Sequence, residues 1–243
     1  MRKWLVALGG LLLTSSLTAV AGPASAQLVV DKLWIDLDTT STGRADVVLK
    51  NESADRYYIS VAPVEMLHPG TTEEQRIARS NPEELGLLVS PSRLVLDPGA
   101  TRAIRIVSIN PELAAERVYR IRVTPEVGEV QAGEASGDER GISLKVLTAY
   151  DLLVVARPAQ PESRLEAVRG DEELVLTNEG NTNTLLLDGK TCVAAPEGER
   201  CAPLEDRRLY AGAQWRIALD SPDAQVRFRE RTSANGEDRL IEF

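Results

Sequence analysis

An all-β fold, two immunoglobulin-like β-sandwich domains in tandem, is predicted by three observations. Short runs of alternating apolar residues recur along the chain, each closed by a Gly, Pro, Asn or Asp turn. Helical periodicity is almost absent. A Pro-Ala-Gln-Pro break from Pro158 to Pro161 separates a longer set of strands from a shorter one. Even strand spacing with regular turn signals is the pattern of a sandwich. The expected organisation is a leader over residues 1–26, a first domain over 27–158 and a second over 159–243.

The elements follow in order. Arg2 and Lys3 precede an apolar run, and Ala24-Ser25-Ala26 is a cleavage signal that places the mature start at Gln27. An uncleaved membrane anchor is the alternative; the run is short and interrupted by Ser and Thr, which favours cleavage and export. Residues 28–37 read as a strand and 38–43 as a turn. Residues 45–51 and 57–64 are strands split by the polar turn 52–56. Residues 65–84 form a polar excursion with room for a short helical turn at Asn81-Pro82. The β pattern resumes over 85–89 and 93–96, and Asp97-Pro98-Gly99 is a strong turn. Residues 101–109 and 118–123 alternate again, the latter with Arg120 and Arg122 facing out. Residues 126–140 are rich in Gly and Glu. Residues 142–156 are the longest strand candidate, and 152–156, apolar at every position, are expected to be covered on both faces. Past the break come strands over 165–168, 173–178, 184–187, 208–210, 214–219, 225–230 and 239–243.

Composition excludes several functions. The net charge of −9 becomes −11 without Arg2 and Lys3, which argues against nucleic acid as a partner. One histidine, His68, and two cysteines nearly exclude a histidine-based zinc or copper site. Cys192 and Cys201 lie past the leader and lack the C-x-x-C spacing of redox sites, so a structural disulfide is expected. Asp36/Asp38 and Glu83/Glu84 are carboxylate pairs with nothing to place them around a pocket. No nucleophile elbow, phosphate loop or metal-ligand cluster is present, so neither an enzyme nor a cofactor is expected.

The order of motifs resembles the PapD-like periplasmic chaperones of pilus assembly, in a divergent or archaic-type branch. The resemblance rests on Val47-Val-Leu-Lys-Asn51, on Pro91 through Ile106, on Leu113-Ala-Ala-Glu-Arg-Val-Tyr119 with Pro125, and on the closing Arg157-Pro158. In the second half it rests on Leu174-Val-Leu-Thr-Asn-Glu-Gly-Asn181, the two cysteines, Leu209-Tyr-Ala-Gly212 and Trp215. It implies a chaperone that fills the missing strand of a pilus or fimbrial subunit and delivers the subunit to an outer-membrane usher. The donor strand would present Ile142, Leu144, Val146 and, more weakly, Thr148 to successive pockets, since alternate side chains share one face. An exposed donor edge also invites self-capping by dimerisation.

In many such chaperones two basic residues in the interdomain cleft hold the subunit's C-terminal carboxylate. Counted back from Arg157-Pro158, the last-strand position falls on Leu153, a departure from the pattern. Arg93, Lys32, Arg105 and Lys145, with Arg102 beside them, are the candidate replacements, Arg being able to hold a carboxylate bidentately. Two readings compete with the chaperone. One is a structural or adhesive protein of two immunoglobulin-like domains, which a failure to bind fimbrial subunits would favour. The other is a hydrolase on a β scaffold, for which no catalytic constellation is visible.

Overall fold

A computed structural model describes residues 27–38, 42–110, 112–128, 145–232, 236 and 238–243. The expected leader, Ile142 and Leu144 lie outside the described residues. The chain forms β1 (Leu28–Val30), β2 (Trp34–Asp38), β3 (Arg44–Asn51), β4 (Tyr57–Leu67), β5 (Gln75–Ile77), α1 (Pro82–Leu85), β6 (Leu87–Ser90), β7 (Arg93–Leu96), β8 (Thr101–Ser108), β9 (Arg117–Val127) and β10 (Tyr150–Arg157). Two sheets result, in the orders β1-β3-β8-β6 and β2-β10-β9-β4-β5, with β7 also on β4. Their inner faces meet over one core that includes Val47, Leu49, Ile104, Ile106, Ile121 and Val154. These positions are the alternate residues of their strands, so the period of two decides which side chains lose water.

The second half adds β11 (Leu165–Arg169), β12 (Glu173–Asn178), β13 (Thr184–Ala195), β14 (Gly198–Pro203), β15 (Arg207–Leu209), β16 (Gln214–Ala218), β17 (Gln225–Arg231) and β18 (Arg239–Glu242). The orders are β11-β12-β16 and β14-β13-β17-β18, with β15 on β13. A separate core holds Leu174, Leu176, Leu186, Ile217, Trp215 and Phe228. The last two rings tilt against each other at 5.3 Å between centroids. This is the predicted fold class, two immunoglobulin-like sandwiches in tandem.

Several boundaries differ from the sequence reading. The expected strand 28–37 is two strands in different sheets. The Asp31 carboxylate accepts the Val48 amide at 2.8 Å, ending β1 on β3. The chain then crosses, and β2 runs parallel to β10. The polar excursion holds an extension of β4, the short β5 and a single helical turn. Asn81 caps that turn by accepting from the Glu83 amide, and Gly86 closes it at φ 74°. The strand 184–187 is the start of a much longer one. A register shift between Leu187 and Lys190 interrupts the alternation, and a Cβ on Gly189 would lie 2.4 Å from the Phe228 ring. β14 has no counterpart in the sequence reading. It pairs with β13 so that Cys192 lies opposite Cys201, and the two form the expected disulfide.

The two sandwiches meet across a junction of polar clamps around a small apolar cluster of Met66, Val118 and Tyr210. Glu116 accepts from Thr182 Oγ1 at 3.0 Å, from Asn183 Nδ2 at 2.5 Å and from the Ala211 amide at 3.4 Å. Arg157 donates to Asp36 at 2.7 Å and to Thr182 at 2.5 Å. The Arg208 guanidinium stacks 4.0 Å over Trp34. Burial holds the Arg208 guanidinium below and the Tyr210 hydroxyl above their usual ranges.

Candidate functional site

The site grows from a mismatch in length between β9 and β10. β9 pairs with β4 along residues 118–127. β10 pairs with β9 only from Tyr150, which lies opposite Val123. The expected strand 142–156 is therefore shorter at its start, and residues 145–149 carry no strand assignment. Among the described residues, no backbone group of 145–149 is bonded to another backbone group.

The side chains of this segment still alternate. Val146 is 73% exposed and Thr148 is exposed, whereas Lys145 and Leu147 are half-buried. Leu147 packs against the first core. The Lys145 ammonium bonds the Asp55 carboxylate, and the Tyr150 hydroxyl donates to the Leu28 carbonyl at 2.5 Å. The segment is tethered by one side and presents the other. Val146 and Thr148, two of the four residues expected in the donor set, are on the presented side.

The four candidate anchors do not converge. Arg105 holds the Asp46 carboxylate bidentately at 2.8 and 2.9 Å, and its hydrogen bond keeps that carboxyl below the usual range. Lys32 donates to the Asp46 carbonyl at 2.7 Å. Lys145 is engaged by Asp55. Arg93 has no hydrogen bond or ion pair among the described residues; it lines a shallow groove of about 630 Å³ with Tyr58, Val95 and Glu126. Arg102 reaches the Thr101 carbonyl.

Two arginines at the domain junction escape the sequence reading. In the row of Leu153, its neighbours are Trp34 on β2 and Arg120 on β9. Leu153 packs on the junction cluster, so this row faces the second domain, where Arg208 covers Trp34. The Trp34 Nε1 is buried without a hydrogen-bond partner among the described residues. Arg120 reads as outward, which is correct for its own sandwich; that this outer face meets a second domain is not written in strand periodicity.

The remaining polar residues have structural roles. Asp36 receives Arg157, and Glu83 and Glu84 lie in the first turn of α1. Among the described residues, the one grouping with metal-ligand spacing is Cys192, Glu199 and Cys201, and both its sulfurs are joined in the disulfide. No helix among the described residues is long and apolar enough to cross a membrane.

No protein-family model matches the chain. It is 28% identical over 143 residues to a fimbrial subunit of the CS1 type from Escherichia coli, covering 58% of this chain and 59% of that protein, less than two thirds of its length. It is 28% identical over 197 residues to the probable fimbrial chaperone EcpE of Escherichia coli O157:H7, covering 77% and 78%. It is 27% identical over 219 residues to the probable fimbrial chaperone EcpB of the same organism, covering 89% and 92%. Among solved structures, the class 5 fimbriae chaperone CfaA superposes with a TM-score of 0.71 at 19% identity, covering 89% of this chain and 97% of that one. The archaic chaperone–usher complex CsuC–CsuE of Acinetobacter baumannii gives 0.56 at 15% identity, covering 89% and 98%. The fold is that of the fimbrial chaperones.

Proposed function

We infer that the chain is a PapD-like chaperone of fimbrial assembly, of a divergent or archaic-type branch. It lends a strand to an incomplete fimbrial subunit, holds it in that way, and hands the complex to an outer-membrane usher. The observation that carries this is the unpaired flank of β10, where residues 145–149 offer backbone groups and an exposed Val146. The donor set is Ile142, Leu144, Val146 and Thr148. Main-chain bonds supply affinity that is independent of sequence, and the apolar knobs set the register. The work is binding and strand exchange, without turnover or cofactor. The leader over residues 1–26 supports the periplasm as its location.

The subunit's terminal carboxylate is held at the junction row of Trp34, Leu153 and Arg120. Arg120 there supplies the charge that Leu153 lacks; its guanidinium donates only a long bond, at 3.5 Å, to the Asp151 carbonyl beside it. Lys32, Arg105 and Lys145 already face acidic or carbonyl partners, and Arg93 serves a separate groove. An Arg120→Ala substitution is expected to lower subunit retention about tenfold, as loss of a charge-assisted bond does. Arg105→Ala leaves retention within about twofold, the scale of an exposed pair.

The test is co-expression with a fimbrial subunit and purification from the periplasm. Wild type yields a soluble equimolar complex, and Ile142→Asp/Leu144→Asp, itself folded, yields none. Equal retention by both proteins contradicts strand donation. A second reading, a structural fimbrial component, is favoured by the name of one relative, the CS1-type fimbrial subunit. The two separate in the assembled fibre, from which a chaperone is absent and in which a component is present.

A further inference from the structure

The donor flank is tethered to its own domain by a contact that neither the fold nor the family resemblance demands. Asp55 and Lys145 are separated by 90 residues, yet their side chains bond. Asp55 sits in the turn between β3 and β4, and that turn is tied down. Asn51, fully buried, donates to the Asp55 carbonyl at 2.7 Å and to the Leu96 carbonyl at 2.9 Å. The Ser53 hydroxyl bonds the Asn51 side chain at 2.7 Å and receives the Asp55 amide at 3.2 Å. The carboxylate is therefore offered from a fixed mount rather than from a loose loop.

The other end of the pair is equally constrained. The Lys145 side chain is 23% exposed and the Asp55 side chain 45%, so the pair is shielded from solvent on the lysine side only. Leu147, two residues on and of the same parity, is inserted against the core. A shift of one residue would turn Lys145 and Leu147 outward and bury Val146 and Thr148. The charged contact and the apolar plug thus oppose the same slip from two positions.

We propose that the Asp55–Lys145 ion pair is a clasp that fixes the phase of the donor segment before a fimbrial partner arrives, Asp55 being a positioning residue for strand donation. The proposal rests on the strand-donation reading above. An unpaired segment held in phase loses less freedom on binding than one that must also find its register. In this role Asp55 acts through Lys145. Lys145 serves as an internal tether rather than as an anchor for the partner's terminus.

The test compares subunit retention after periplasmic co-expression with one fimbrial subunit, each chaperone variant first being checked for an unchanged melting temperature. The variants are Asp55→Ala, Lys145→Met, the swap Asp55→Lys/Lys145→Asp, and Val146→Asp as the control for donation itself. Lys145→Met keeps the apolar stem and leaves the turn intact, so it answers even if Asp55→Ala fails to fold. The clasp predicts a loss of about fivefold to tenfold in both single charge variants, the scale of a partly shielded pair, and recovery in the swap. Retention unchanged in Lys145→Met, with Val146→Asp still disruptive, overturns the clasp and leaves strand donation standing. Loss in the single variants without recovery in the swap also overturns it, by pointing to the turn itself. Retention that survives Val146→Asp overturns both.

Discussion

Tyr119 shows how burial becomes a measurable property at the scale of one residue. Its ring lies in the first core, and burial pushes its hydroxyl up to about 12 from the usual 10, against a smaller pull from Arg117. The folded-state value lies above the unfolded one, so the contribution is fully present below pH 10. It is lost as pH rises toward about 12, because only the unfolded chain then releases the proton easily. Tyr119→Phe is therefore expected to flatten the alkaline fall in stability between pH 10 and about 12, read from urea midpoints across that interval. Gly189 gives a steric counterpart. A methyl there meets the Phe228 ring at 2.4 Å, and Gly189→Ala is expected to cost ~1–3 kcal/mol through overpacking. Single residues are legible in the sequence when their reason is local. The cysteines and the short helical turn at Asn81-Pro82 are of that kind. Lys145 and Arg120 are not, because what they face comes from segments far away in sequence.

Strands and hairpins explain most of the remaining differences. Alternation reports which face a residue takes, not which sheet its strand joins. The buried residues of the run 28–37 change parity between Leu28 and Ile35 as the chain passes from β1 to β2, but over so short a stretch the polar pair Asp31-Lys32 is the only trace of the change of sheet. The late start of β10 is hidden for the same reason: residues 142–149 alternate as a strand does whether or not a neighbour pairs with them. In β13 the opposite happens, since the register shift at Leu187 breaks the period in a strand that continues to Ala195. The β13–β14 hairpin past that shift is fastened by the disulfide, whose partners are nine residues apart. By the chain-entropy argument such a short loop contributes somewhat under ~3 kcal/mol. Cys192→Ala/Cys201→Ala should lower the unfolding free energy by up to that amount while leaving complex formation intact, since the hairpin is remote from β10. A complex lost with the disulfide would assign the second domain a direct binding role.

The whole molecule depends on how two sandwiches with separate cores are held together. Their junction is mostly polar, and Glu116 is its most connected group, with three acceptor contacts into the second domain. Glu116→Ala leaves the Thr182, Asn183 and Ala211 donors without that carboxylate. The expected result is a looser pair of domains, seen as a broader small-angle scattering profile, with each core still folded. The fold class and the count of two domains are legible from the strands, because each sandwich follows from periods and turns within its own stretch. The polar part of the junction is not, since Glu116, Arg120 and Arg208 read as ordinary outward side chains until the two domains meet.

Strand donation requires the flank of β10 to become a paired strand only when a fimbrial partner is bound. Amide hydrogen exchange over residues 145–149 tests this most directly, in the chaperone alone and in its purified complex with a fimbrial subunit. Strand donation predicts fast exchange in the free protein, where these amides have no backbone acceptor among the described residues, and strong protection in the complex. Fast exchange in both, in a complex that is demonstrably intact, would contradict it and place the bound partner on another surface.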